Sequence, residues 1–304
     1  VKFLLARATG TLFTLWLILT LAFVLVNLAG DPVSLLSSES ATPQERATLE
    51  ASLGLNAPIL ERYALFVVGA VTGNLGNSFV FQRPALPLLL ERLPVTLALV
   101  ALALMLAVLV GVPLGVVAAA RHGSGLERAI LAVSAALLST PTFVLGIALI
   151  FVFAVQWRIL PSSGADTPVH FALPALALAL PRIALFARYI HTGLLEVLPE
   201  DFIRTARSKG VAPTGVLYGH ALKGAMLPFL TALGLQIGGL IAGTVVTETL
   251  FALPGMNRVA LEGLTKFDYP LILAFTLVSS AVIAVCNLLT DALYALVDPR
   301  VRYA

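Results

Sequence analysis

The chain is 304 residues long, 59% hydrophobic and only 12% charged, with a net charge of +3 and a mean hydropathy of +0.98. A soluble globule carries roughly twice that share of charge to cover its surface, and so small a net charge gives no grip on a nucleic acid backbone. The composition excludes both classes, and the lone Cys286 excludes an internal disulfide.

Lys2 and Arg7 precede a charge-free run, Thr11–Ala29, long enough to cross a bilayer. Its start is similar to a secretory leader, but no small-residue cleavage pattern follows, so it reads as a first membrane helix that stays attached. Gly30–Arg92 then reads as an external segment. Within it, Thr42-Pro43-Gln44-Glu45 is a capping box with proline at the first helical position, and Gly54 suits the helix end. Pro58–Val71 reads as a helix lying on the membrane or against the bundle, and Gly73–Ser78 as a turn-rich tip. A covering loop and a docking or gating element are both open for this segment.

The second span is Leu93–Ala120, between Arg92 and Arg121, and the third is Ala129–Trp157, between Arg128 and Arg158. The fourth, from about Phe171 to Ile190, is interrupted by Arg182 and Arg188. The fifth runs from about Leu227 to Thr247 and the sixth from Tyr269 to Thr290, so the expectation is an all-α polytopic protein with six transmembrane helices. Pro113, Pro141, Pro174 and Pro181 each remove a helical hydrogen bond and are expected to bend their helices. Gly234, Gly238, Gly239 and Gly243 supply four-residue spacings on the fifth span, small faces that admit another helix closely. Arg182 is the exception to spans poor in ionisable groups; it either snorkels to the cytoplasmic face or lines a pathway. Asp291, at a membrane edge, is expected to cap or pair locally. With the N-terminus inside, basic residues collect in the cytoplasmic segments, from Lys2 and Arg7 through Arg121, Arg128 and Arg188 to Arg300 and Arg302. This bias puts both termini in the cytoplasm.

A polar stretch, Glu196–Lys223, separates the fourth and fifth spans. Glu200 to Lys209 reads as a short amphipathic helix with Phe202, Ile203 and Ala206 on one face and Arg204, Arg207 and Lys209 displayed around it. Gly210 permits a backbone reversal that a Cβ would hinder, and Pro213 stops simple continuation of the helix. Such an element suits a groove on a soluble partner; a loop bound by the anionic headgroups of membrane lipid is the alternative.

No catalytic constellation emerges. His122, His170, His191 and His220 stand on different segments without metal-ligand spacing, so neither a metal nor another cofactor is expected. There is no Gly-x-x-x-x-Gly-Lys-Ser/Thr loop, so the chain is not expected to bind ATP itself. Asp166 and His170 have no nucleophile placed with them. The scarcity of charge within the spans and the lack of an internal repeat weigh against an ATP-independent secondary transporter or channel. An intramembrane hydrolase would need a nucleophile or metal pair at membrane depth.

Ile203-Arg204-Thr205-Ala206-Arg207-Ser208-Lys209-Gly210, then His220-Ala221-Leu222-Lys223 and Leu227-Pro228, resembles the cytoplasmic signature of ABC importer permeases of the dipeptide/oligopeptide/nickel branch. Arg204-Thr205-Ala206 stands where the general signature has Glu-Ala-Ala. Further matches are Thr247-Glu248-Thr249-Leu250-Phe251 with Pro254-Gly255, Asp268-Tyr269-Pro270, Asn287 with Asp291, and the tail Asp298-Pro299-Arg300-Val301-Arg302. Leu53-Gly54-Leu55 and Gly73–Ser78 resemble that branch's first-half subunit.

The resemblance implies the type I ABC importer transmembrane fold in a bacterial or archaeal plasma membrane, and a transport subunit rather than an enzyme. It implies a first helix plus external segment at 1–92, a permease domain at 93–298 with a coupling loop at 196–226, and a cytoplasmic tail at 299–304. It also implies four kinds of partner: two ABC ATPase subunits, a second related permease, an external solute-binding protein and the surrounding lipid. Phe202, Ile203, Arg204, Thr205, Ala206, Arg207, Lys209, Gly210, His220 and Pro228 are the implied ATPase-coupling residues. Di- and oligopeptides are the expected solutes of an alternating-access cycle, with nickel complexes, glutathione and sugars open.

Overall fold

A computed structural model describes residues 2–29, 33, 42–52 and 55–297. The expectations for Gly54, for the side chains of Glu45 and Asp291, and for the motif at 298–302 lie outside the described residues. Among the described residues the regular structure is helical: α1 (Lys2–Ala29), α2 (Pro43–Ser52), α3 (Ile59–Thr72), α4 (Ala85–Ala120), α5 (Gly125–Ser139), α6 (Thr142–Leu149), α7 (Ala172–Val197), α8 (Asp201–Ser208), α9 (Leu222–Leu250), α10 (Met256–Thr265) and α11 (Tyr269–Val297). Five helices are long and apolar enough to cross a membrane, and the pair α5 and α6 makes a sixth if its two bent halves count as one span.

That third span, expected over Ala129–Trp157 with a bend at Pro141, is broken outright. It breaks at Thr140-Pro141, and its halves meet at 103°. The cause is local. A residue before proline is driven to extended backbone, and Thr140 sits at φ −93°, ψ 123°, ending α5 at Ser139. Pro141 then opens α6, which continues as a π-helical stretch, Ile150–Gln156. Pro113, Pro174 and Pro181 do not break their helices. Pro174 falls in the first turn of α7, where no N–H is needed. Pro113 and Pro181 lie inside helices that continue through them.

Packing divides the chain into two compact units, Val1–Val95 with Pro254–Ala284, and Thr96–Leu253 with Val285–Ala304. In the first, Phe23 of α1 stacks on Phe66 of α3 at 5.4 Å and meets Tyr63 edge-on, while Thr20 and Tyr63 share a 2.8 Å hydrogen bond. The amphipathic α3 is thus held against α1. Leu88, Leu89, Met256, Leu271 and Ala274 form a second apolar cluster in this unit. In the same unit the buried carboxylate of Asp268 accepts from Ser78 Oγ, from Val80 N at 3.0 Å and from Leu271 N at 3.2 Å. It therefore caps α11 and pins the turn-rich tip in one stroke.

In the second unit α7 is the central post, with 56% of its most apolar stretch buried against 11% for α1. Small residues make this possible. A Cβ on Gly111 or Gly115 of α4 would come within 2.8 Å of Ile183 O or 2.5 Å of Ala187 O, so α4 touches α7 backbone to backbone. On another side Phe186 meets Phe229 of α9 edge-on at 5.1 Å.

Candidate functional site

The polar stretch folds as foreseen in outline. Glu200 ends the link from α7, α8 follows, and Gly210 sits at φ +79° with open space around its missing Cβ. Val211 N bonds to Ala206 O at 3.2 Å and Gly210 N to Arg207 O at 3.0 Å, the two reverse bonds of a Schellman ending. The left-handed backbone is why glycine is needed here. Ile203 and Ala206, three apart on the helix, are fully or nearly fully buried, and α8 packs on the π-helical turn Val216–Ala221.

One expectation is corrected. Phe202 does not share the face of Ile203 and Ala206; it is 49% exposed. Adjacent helical residues point about 100° apart, so Phe202 lines up instead with Thr205 and Lys209, both exposed. Arg204 and Arg207 are also exposed, and Arg204 makes a 3.3 Å ion pair with Asp201 at the surface. His220 is exposed on the π-turn, and Pro228 is exposed two turns further along α9, outside the α8 cluster. Tyr218, exposed beside His220, went unremarked in the sequence because a lone tyrosine carries no periodic signal.

Close to the same end of α7 the structure gathers three groups that sequence spacing did not. Glu127 accepts hydrogen bonds from His122 Nδ1 at 2.8 Å, His191 Nε2 at 2.7 Å and Gly123 N at 2.6 Å. An ionised carboxylate only accepts, so both ring nitrogens facing it carry protons. These atoms lie within 4.8 Å of one another, close enough to share a cation, yet the hydrogen-bonded cluster is already complete. Glu127 is the third residue of α5, in the first turn of the broken span.

Glu248 and Arg182 are two of the ionisable groups within the spans. Glu248 is fully buried near the end of α9, which outruns the expected fifth span; it accepts from Thr96 Oγ1 at 2.7 Å and Thr244 Oγ1 at 2.9 Å. Arg182 lines a cavity of about 450 Å³ beside the α5–α6 break, with Ser139, Thr140, Thr142 and Gln236. Of the glycines on α9, Gly234 abuts Thr290, where a Cβ would come within 2.3 Å of the methyl group, whereas Gly239 and Gly243 face open space.

Residues 111–303 match the family described as binding-protein-dependent transport system inner membrane component, and residues 1–100 match the N-terminal region of that type of component. A probable peptide ABC transporter permease protein of Sinorhizobium fredii is 38% identical over 99% of both chains. The glutathione transport system permease protein of Escherichia coli is 35% identical, again over 99% of both. Among solved structures, the inward-facing methionine ABC transporter MetNI superposes with a TM-score of 0.57 at 19% identity, covering 69% of this chain and 96% of that one. An amino acid ABC transporter gives 0.52 at 22% identity, covering 70% and 94%. At these identities the likeness speaks for the fold, that of a type I importer membrane subunit. The chain belongs to the binding-protein-dependent transport system inner membrane component family, and is a multi-pass plasma-membrane permease subunit of an ABC importer.

Proposed function

We propose that this chain is one half of the membrane channel of an ATP-driven importer of small peptides, with both termini in the cytoplasm. Two ABC ATPase subunits, a second related permease and an external solute-binding protein complete the assembly. The permease domain occupies 93–298, preceded by the first helix and external segment and followed by a short tail. Solute passes by alternating access, and ATP is hydrolysed on the partner subunits. The solute class is supported by two relatives named for peptide and for glutathione transport, glutathione being itself a small peptide.

One observation carries the coupling reading. The α8 helix turns Ile203 and Ala206 inward onto the π-turn that leads into α9, and turns Phe202, Thr205 and Lys209 outward. Because its other end runs through Leu198–Glu200 into α7, a push on the outward face is delivered to both spans at once. An exposed aromatic ringed by cations is the kind of anchor a groove on a soluble subunit takes.

The test uses the complete importer, purified with its own partners and reconstituted in proteoliposomes. Lys209→Cys should cross-link to an ATPase subunit, and Gly210→Val should lower uptake of radiolabelled trialanine while ATP hydrolysis continues. No cross-link in any nucleotide state, or full uptake with Gly210→Val, overturns the reading.

A further inference from the structure

A guanidinium inside a bilayer is costly, and such groups face a protein interior or a water-filled cavity rather than lipid. Arg182 is the eleventh residue of α7, about 15 Å along the axis from one end and about 22 Å from the other. Snorkelling would carry its head toward a membrane surface. The structure puts it elsewhere: into the cavity beside Thr140 and Thr142, at the break in the third span, and Gln236, well inside α9. Each of those residues lies far from the ends of its own span, so the cavity is at mid-depth. Irregular backbone such as the Thr140-Pro141 break is tolerated there where it lines a cavity.

The chemistry of the lining is specific. Ser139, Thr140, Thr142 and Gln236 line the cavity together with one cation, alongside Leu138 and Leu185; the Thr140 hydroxyl donates to Ala136 O at 2.8 Å. Arg182 Nε is buried and has no hydrogen-bond partner among the described residues. Among the described residues that line the cavity, none is a carboxylate that could neutralise the charge. A planar guanidinium is matched by a carboxylate, which takes two parallel N–H bonds, and partial desolvation strengthens that match. Lipid phosphates, at the bilayer surface, are out of range of a site at this depth.

We propose that Arg182, with Thr140, Thr142 and Gln236, forms an anion-selective station in the solute pathway that recognises a carboxylate of the passing peptide. The solute identity rests on the transport reading above; the station itself rests on the cavity.

The experiment needs one thiol. Cys286, the single cysteine of the chain, is replaced by serine, and Gln236→Cys is introduced in the importer assembled with its partners in proteoliposomes. Modification of this subunit by an anionic and a cationic methanethiosulfonate is followed by mass. With Arg182 present the anionic reagent should react faster by about tenfold or more, the scale on which a focused field enriches counter-ions. The ratio should fall toward one with Arg182→Gln and return with Arg182→Lys. Trialanine should slow the anionic reagent, and its C-terminal amide should not. Failure of the anionic reagent to reach the introduced thiol, a ratio indifferent to Arg182→Gln, or equal protection by acid and amide overturns the proposal. These readouts need no coupling, so they stand or fall separately from the Lys209→Cys cross-link and the Gly210→Val uptake test.

Discussion

Glu127 and His191, 64 positions apart in sequence, are joined by a 2.7 Å hydrogen bond that ties the first turn of α5, just after the turn from α4, to the buried face of α7. His122 reaches the same carboxylate oxygen from within that turn, at 2.8 Å. α7 leads within ten residues to α8, so the clasp joins the base of α5 to the post that would carry motion from the partner ATPase.

The clasp should contribute measurably to stability, because the buried Glu127 carboxylate is met from three sides. Glu127→Leu leaves the His191 and Gly123 donors without their acceptor, for an expected loss of about 1–3 kcal/mol. Thermal melts of the protein in nanodiscs should show that loss, and a smaller one with Glu127→Gln, which keeps an acceptor oxygen. A Glu127→Leu melt identical to that of the unaltered protein would remove the clasp as a source of stability.

Phe202 and Ile203 are neighbours in sequence but should fail differently. Ile203→Ala removes a fully buried side chain and should cost about 2–5 kcal/mol of stability. Phe202→Ala should cost under about 0.5 kcal/mol, as an exposed position away from packing does, yet weaken ATPase binding by tenfold or more if it is the anchor. Melting curves and co-purification of the ATPase separate the two outcomes.

Gly115 tests the contact of α4 with α7. Its Cβ would stand 2.5 Å from a backbone carbonyl, which cannot swing aside as a side-chain tip can. Gly115→Leu should cost at least about 1–3 kcal/mol through forced separation of the helices. Gly239→Ala, with open space around it in this chain, should leave the melting temperature of the isolated subunit unchanged.

Thr96 supplies a hydroxyl, alongside that of Thr244, to the buried Glu248 carboxyl. Thr96→Val keeps the shape and deletes the donor, for an expected loss of about 1–3 kcal/mol. Thr96→Ser should retain most of the stability, since it retains the hydroxyl.

Much of this was legible along the chain because the physics is local. The spans of α4, α9 and α11 follow from apolar runs that lipid requires and charges delimit. The reversal at Gly210 follows from a glycine where an amphipathic helix must stop. The family signature around Ile203–Gly210 was readable for the same reason, being a contiguous string.

What could not be read there depends on which residues meet across the bundle. Glu127 and His191 carry no spacing that marks them as partners, and Glu248 was hidden because the span was taken to end at Thr247. Gly111 and Gly115 looked like ordinary small residues until α7 came against them. Arg182 was undecided between the membrane surface and a pathway, since sequence sets its depth along one helix but not its surroundings. The structure supplies those surroundings: a cavity that Arg182 shares with Thr140, at the break, and Gln236. Local backbone rules and hydrophobicity determined the elements; the side-chain encounters that give those elements chemistry exist only once the helices are packed.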